Sequence, residues 1–111
     1  MNARFDDHGT LCIVSLEGEF IGDAVDPVRT ACLDRVDSGV RDLILDLSST
    51  EMVDSAGLEA MLALADAAAT RRGRCMIAEP DEAVRSILAI TRFHARLEIH
   101  DAVETAARTI R

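Results

Sequence analysis

Apolar positions group along this chain in short blocks of two different spacings. Residues 10–18 read as a strand of mixed burial, and residues 2–7 as an earlier strand at the sheet edge. Residues 42–47 carry the run Leu43-Ile44-Leu45, then Asp46 and Leu47, as expected of a central strand covered by helices. Cys75-Met76-Ile77-Ala78 predicts a short third strand, and Leu97-Glu98-Ile99 a last brief one.

Helical spacing fills the intervals. Asp26-Pro27 predicts a helix start, with Asp26 as cap, Val28, Ala31, Cys32 and Val36 as the apolar face, and Gly39 as the stop. After Ser55, a second helix shows Leu58, Met61, Leu62, Ala65 and Ala69. It ends near Arg71-Arg72-Gly73, with both arginines placed to complement the negative helix end. Asp81 caps a third helix with Val84, Ile87, Leu88 and Thr91. Asp101-Ala102-Val103-Glu104 has the form of a capping box ahead of a fourth, with Val103, Ala106, Ala107 and Ile110 on one face. Strands alternating with helices predict an α/β fold: one domain over residues 1–111, with a mixed, largely parallel sheet and about four helices.

Composition narrows the functions. The 49% hydrophobic and 29% charged residues fit a soluble globular chain of 111 residues, and a formal net charge of −8 argues against a nucleic-acid surface. All twelve cations are arginines. Without a lysine beside Asp46 or Asp54, a receiver-type aspartate phosphorylation site is excluded. Cys12, Cys32 and Cys75 have no metal-binding spacing and read as reduced, buried thiols. No signal peptide or membrane span is expected, which points to the cytoplasm. His8, His94 and His100 read as isolated surface or loop residues.

The candidate chemistry lies between the central strand and the second helix. Residues 48–53 read as a short polar loop, and Ser55 then opens the helix. Unpaired N–H groups and the positive dipole end make such a position receptive to phosphate. Nothing nearby activates the hydroxyl as a nucleophile. Val53 stands where a nucleophile elbow needs glycine, and no P-loop, dinucleotide or zinc motif occurs. The chain is therefore expected to be no enzyme and to need no cofactor or metal. Asp54 suits capping or partner contact better than general-base work. Met52 reads as a docking residue, Leu58 as core, and Asp46 as a hydrogen-bonded strand end. Gly57 in a first helical turn needs an explanation, which is either a close partner or tight packing against the sheet.

Asp54-Ser55-Ala56-Gly57-Leu58 after an apolar strand resembles the STAS domain family, and within it the bacterial anti-sigma-factor antagonists. Leu16-Glu17-Gly18-Glu19, Ile87-Leu88-Ala89-Ile90-Thr91 and Asp101-Ala102-Val103-Glu104-Thr105-Ala106 extend the resemblance over nearly the whole chain. It implies that Ser55 is phosphorylated by an anti-sigma factor that is also a serine kinase, and restored by a PP2C-type phosphatase. The unphosphorylated form is implied to bind that kinase and release the sigma factor. Gly22, Asp23, Met52, Asp54, Ser55, Ala56 and Gly57 are the implied partner-binding residues. Ala56 departs from the family pattern, because the best-known members carry a second hydroxyl there. Family members that serve as subunits of lipid-transporting ABC complexes, or as non-switching scaffold modules, supply the alternatives.

Overall fold

The structure, a computed structural model, describes residues 1–110. β1 (Asn2–His8) and β2 (Leu11–Phe20) form an antiparallel hairpin across Gly9-Thr10. The other pairings are parallel. β3 (Asp42–Asp46) lies against β2, β5 (Cys75–Ala78) against β3, and β6 (Glu98–His100) against β5. The sheet order is therefore β1-β2-β3-β5-β6, and a sixth strand, β4 (Thr50–Val53), pairs with β2. Four helices complete the fold: α1 (Val25–Asp37), α2 (Ser55–Thr70), α3 (Glu82–Ile90) and α4 (Val103–Arg108). The architecture is the expected α/β one, with a mixed and mostly parallel sheet.

β4 corrects the expectation of a loop over residues 48–53. Ten-residue β2 is twice as long as β3, so β3 covers Leu11–Ser15 and leaves the far half of β2 open. The chain steps out after Leu47 and returns to pair Thr50 with Gly18, Met52 with Glu19 and Val53 with Phe20. Gly18, at φ +104°, accommodates the register shift and donates its N–H to Ser49 O at 3.0 Å. Thr50 is fully buried, and its hydroxyl donates to Leu16 O at 2.6 Å. Polar Glu51 and the four-residue length hid this strand from a periodicity reading. Its partner is the distant tail of β2.

The core is divided unequally between the two sheet faces. On one face, Val14, Leu16, Phe20, Leu43, Leu45 and Ile77 pack with Val28, Cys32, Leu58, Met61, Leu64, Val84 and Leu88 from α1, α2 and α3. On the other, Ile44, Met76 and Ala78 meet Ala106 of α4, flanked by Leu11, Ile13, Val103 and Ile110. Cys12, Cys32 and Cys75 are buried free thiols. Burial raises all three pKa values, Cys12 to about 11 and Cys32 to about 12, so they stay protonated and unreactive at neutral pH. Among the described residues, no helix is long and apolar enough to cross a membrane.

Several local expectations shift. A 3₁₀ turn over Gly22–Ala24 leads directly into α1, so Ala24 takes the cap position without a side-chain bond. Asp26 and Pro27 lie inside the first turn, where Asp26 pairs with Arg29. Asp101 likewise caps nothing. It pairs with Arg85 of α3, and Ala102 occupies the cap position of α4. Arg71 and Arg72 lie just past the last turn of α2, with Arg71 bonded to Asp37 and Arg72 at φ +63°. His100 is a half-buried strand residue bonded to Glu98. Asp81 caps α3 through Val84 N, and Gly39 follows α1 at φ +115°, both as expected.

Candidate functional site

The site forms where β4 turns into α2. Asp54 sits in extended backbone at the cap position, and its two carboxylate oxygens face different elements. Oδ1 accepts the Gly57 N–H at 2.9 Å, closing the first turn of α2. Oδ2 accepts the Gly22 N–H at 3.0 Å, holding the turn that leads into α1. These amides, Gly57 foremost and then Gly22, hold the Asp54 carboxyl below its ordinary pKa. Gly22 has φ +53° and open space around its Cα, so backbone conformation rather than crowding selects glycine there. Asp54 thereby joins Gly22, Asp23 and the start of α2 into one surface, although Gly22 and Asp54 are 32 residues apart.

Ser55 is the first residue of α2 and is exposed. Among the described residues its hydroxyl has no hydrogen-bond partner within the protein. Each oxygen of the adjacent Asp54 accepts a backbone amide and, among the described residues, neither accepts the Ser55 hydroxyl, so the carboxylate holds the turn and not the serine proton. The arrangement presents a hydroxyl at the positive end of a 16-residue helix, accessible to an incoming group and unactivated from within. Ser48, Ser49 and Thr50 lie differently. Thr50 is sealed in the core, and Ser48 and Ser49 belong to the step between β3 and β4.

The neighbouring candidates separate by burial. Met52 projects outward at 42% exposure, while Leu58 is buried at 4%. Ala56 is half-buried against the main core. Asp46 ends β3 and accepts the Ser48 N–H at 3.0 Å, a strand-end bond. Gly57 is buried, and a Cβ there would stand 2.5 Å from Phe20 O and 2.8 Å from Val53 Cγ1. Between the two explanations for this glycine, the geometry supports tight packing, because α2 starts directly against the end of β2.

Two residues that position the site escaped the sequence reading. Thr50 locks β4 to β2, and Phe20 supplies the wall against which Gly57 packs. Phe20 continues the alternation of Cys12, Val14 and Leu16, a signal that could have extended the predicted strand. For Thr50, a β-branched residue among serines, no sequence signal distinguishes core from loop.

The family model for the STAS domain matches residues 2–106. Among solved structures, the Thermotoga maritima protein TM1081 superposes with a TM-score of 0.91 at 18% identity, over 97% of this chain and 93% of that one. The unphosphorylated form of SpoIIAA, an anti-sigma factor antagonist, matches at 0.85 and 18% identity over 99% of each chain. A sulfate transporter family protein from Wolinella succinogenes matches at 0.76 and 17% identity, over 89% of this chain and 83% of that one. At these identities the structural likeness is one of fold. A search of curated protein sequences finds no match to the chain.

Proposed function

The chain belongs to the STAS domain family, and from that premise we propose that it is an anti-sigma-factor antagonist switched off by phosphorylation of Ser55. The supporting observation is the exposed, unbonded Ser55 hydroxyl on a helix start that Asp54 ties to the Gly22 turn. In the unphosphorylated state this surface, with Asp23 and Met52 on its rim, docks onto an anti-sigma factor with serine kinase activity and frees the sigma factor. The fixed geometry suits both binding and phosphoryl transfer, since a docked kinase meets the hydroxyl without reordering the chain.

Phosphorylation adds a charge of about −1.5 to −2 to a chain whose net charge is already −8. The first turn of α2 tolerates the phosphate through its dipole, so the fold persists. Repulsion and steric clash fall on the interface, and a loss there of about 1.4 kcal/mol is tenfold in affinity. A PP2C-type phosphatase removes the group and restores binding. SpoIIAA, whose fold the chain shares, has been solved in a phosphorylated form as well.

The test is incubation with an anti-sigma-factor kinase from the same genome and ATP, followed by mass spectrometry and binding measurements. Phosphate is expected on Ser55 alone. Ser55→Ala should abolish its incorporation while keeping binding, and Ser55→Asp should weaken binding incompletely. Phosphate mainly on Ser48 or Ser49, or unchanged affinity after phosphorylation, overturns the switch. It would favour a transporter-associated module, the reading to which the Wolinella neighbour lends weight.

A further inference from the structure

We infer that the outer edge of β1 is a self-association surface, at which two copies of this chain pair antiparallel about a two-fold axis through Phe5. β1 lies at the end of the sheet, and among the described residues β2 is the one strand it pairs with. The Gly9-Thr10 turn sets His8 opposite Leu11, and the closing pair of a two-residue hairpin exchanges both of its backbone bonds. Bonded and non-bonded pairs alternate from there. Asn2, Arg4, Asp6 and His8 therefore direct their backbone groups at β2, while Ala3, Phe5 and Asp7 turn theirs to the open edge.

The charges along this edge select one register. With the axis through Phe5, each Arg4 stands opposite Asp6 of the second copy, in a non-hydrogen-bonded pair where side chains approach most closely. Phe5 faces its own counterpart and Ala3 faces Asp7, both as hydrogen-bonded pairs. Axes through Arg4, Asp6 or Asp7 set like charges opposite each other, and an axis through Ala3 leaves Arg4 and Asp6 without opposite charges. Among the described residues, exposed Arg4 makes no ion pair, and the one ion pair of the Asp6 carboxylate is with the exposed His8, at 3.1 Å. Charged edge strands ordinarily discourage pairing. Here Arg4 and Asp6 stand symmetrically about Phe5 with opposite sign, which makes the edge self-complementary in this register.

An apolar groove borders the same edge, between β1 and α1, lined by Met1, Ala3, Phe5, Ala24, Pro27 and Val28. Met1 is 44% exposed there, and Phe5 lies under the Arg35 guanidinium at 4.1 Å. A second copy seated on β1 adds its own Phe5 beside this groove and joins the two sheets. The surface contains none of the residues assigned to the phosphorylation switch, so the two readings stand or fall separately.

Sedimentation velocity over a concentration series tests the inference on the wild-type chain, Arg4→Asp, Asp6→Arg and the double exchange. Wild type should dimerise. Each single reversal turns two attractive pairs into two repulsive ones and should weaken association roughly tenfold or more, and the double exchange should restore it. Arg4→Gln and Asp6→Asn, which remove the attraction alone, should fall between, and circular dichroism confirms folding of each variant. A wild-type chain monomeric up to about 1 mM overturns the proposal. So do single reversals that associate like wild type, or a double exchange that fails to recover.

Discussion

Helices α2 and α4 both follow an aspartate near their start, yet the molecule holds them by different means. α2 buries Gly57, Leu58, Ala60, Met61, Leu64 and Ala68 in the main core, and Asp54 closes its first turn. α4 is six residues long, buries only Ala106, and has no side-chain cap. Polar bonds reinforce this small apolar seat. Arg74, at the entrance to β5, pairs with Glu98 of β6 through two guanidinium nitrogens and also donates to Thr109 O and Thr109 Oγ1. Fixation on the core side leaves the opposite surface of α2 free for the docking proposed above, because its apolar burial uses one face. A helix pinned by exposed polar groups covers the far face of the sheet at lower stability, and opens first.

Gly57→Ala strikes this comparison hardest. Alanine returns up to about 1 kcal/mol of helix propensity, but its methyl meets a backbone carbonyl that cannot swing aside. A net loss of roughly 1–2 kcal/mol is expected in urea unfolding, together with weaker partner binding as the start of α2 is pushed off β2. Wild-type stability in this variant breaks the claim that α2 is seated directly on the strand end.

Arg74→Ala acts on the other helix and should act locally. Its pair with Glu98 is about two-fifths exposed on both sides, so the global cost is at most about 1 kcal/mol. Amides of α4 and β6 should lose hydrogen-exchange protection while those of α2 keep theirs. Equal loss in both helices would mean that the clamp is not local to α4.

The smallest effect distinguishes two carboxylates. Asp54 is held below its ordinary pKa by backbone amides, and Glu98 by the Arg74 guanidinium first and then, as a hydrogen-bond donor, by His100. In each case the folded state keeps the carboxylate more firmly than the unfolded chain does. Their contributions are fully present above the ordinary carboxylate range and are lost as pH falls through the lowered values. Carbon-detected NMR titration should show Glu98 moving upward as salt is raised, since its chief partner is an ion. Asp54 should move less, with the Gly22 and Gly57 amide shifts following its midpoint. Gly22 and Gly57 signals that ignore the Asp54 titration would separate the carboxylate from the two turns it joins.

Local chemistry wrote much of this fold plainly into the sequence. Central β3 and β5 announce themselves as uninterrupted apolar runs, and α3 by Asp81 and its periodic face, because burial on both sides or on one stripe leaves a pattern within a few residues. Ser55 at a helix start, exposed Met52 and buried Leu58 follow from the same local rules. The misreadings share one physical cause. Asp26 and Asp101 resemble caps in isolation, but Arg29 and Arg85 offer them ion pairs, and the backbone enters α1 from a 3₁₀ turn. Whether an aspartate caps a helix depends on what the tertiary structure places beside it.

The sequence by itself determined the alternation of strands and helices, the burial of the three cysteines and the position of the serine at the tip of α2. The tertiary structure alone decided that Thr50–Val53 is a strand, since a four-residue segment with two outward side chains becomes one only beside the vacant half of β2. It alone decided why residue 57 is glycine, because the carbonyl that excludes a methyl belongs to Phe20, 37 positions earlier. It also brought Gly22 to Asp54 across 32 residues, so that one carboxylate holds together two loops that no local pattern connects. Contacts between segments distant in sequence leave no periodicity in either one, and the surface around Ser55 is built from such contacts.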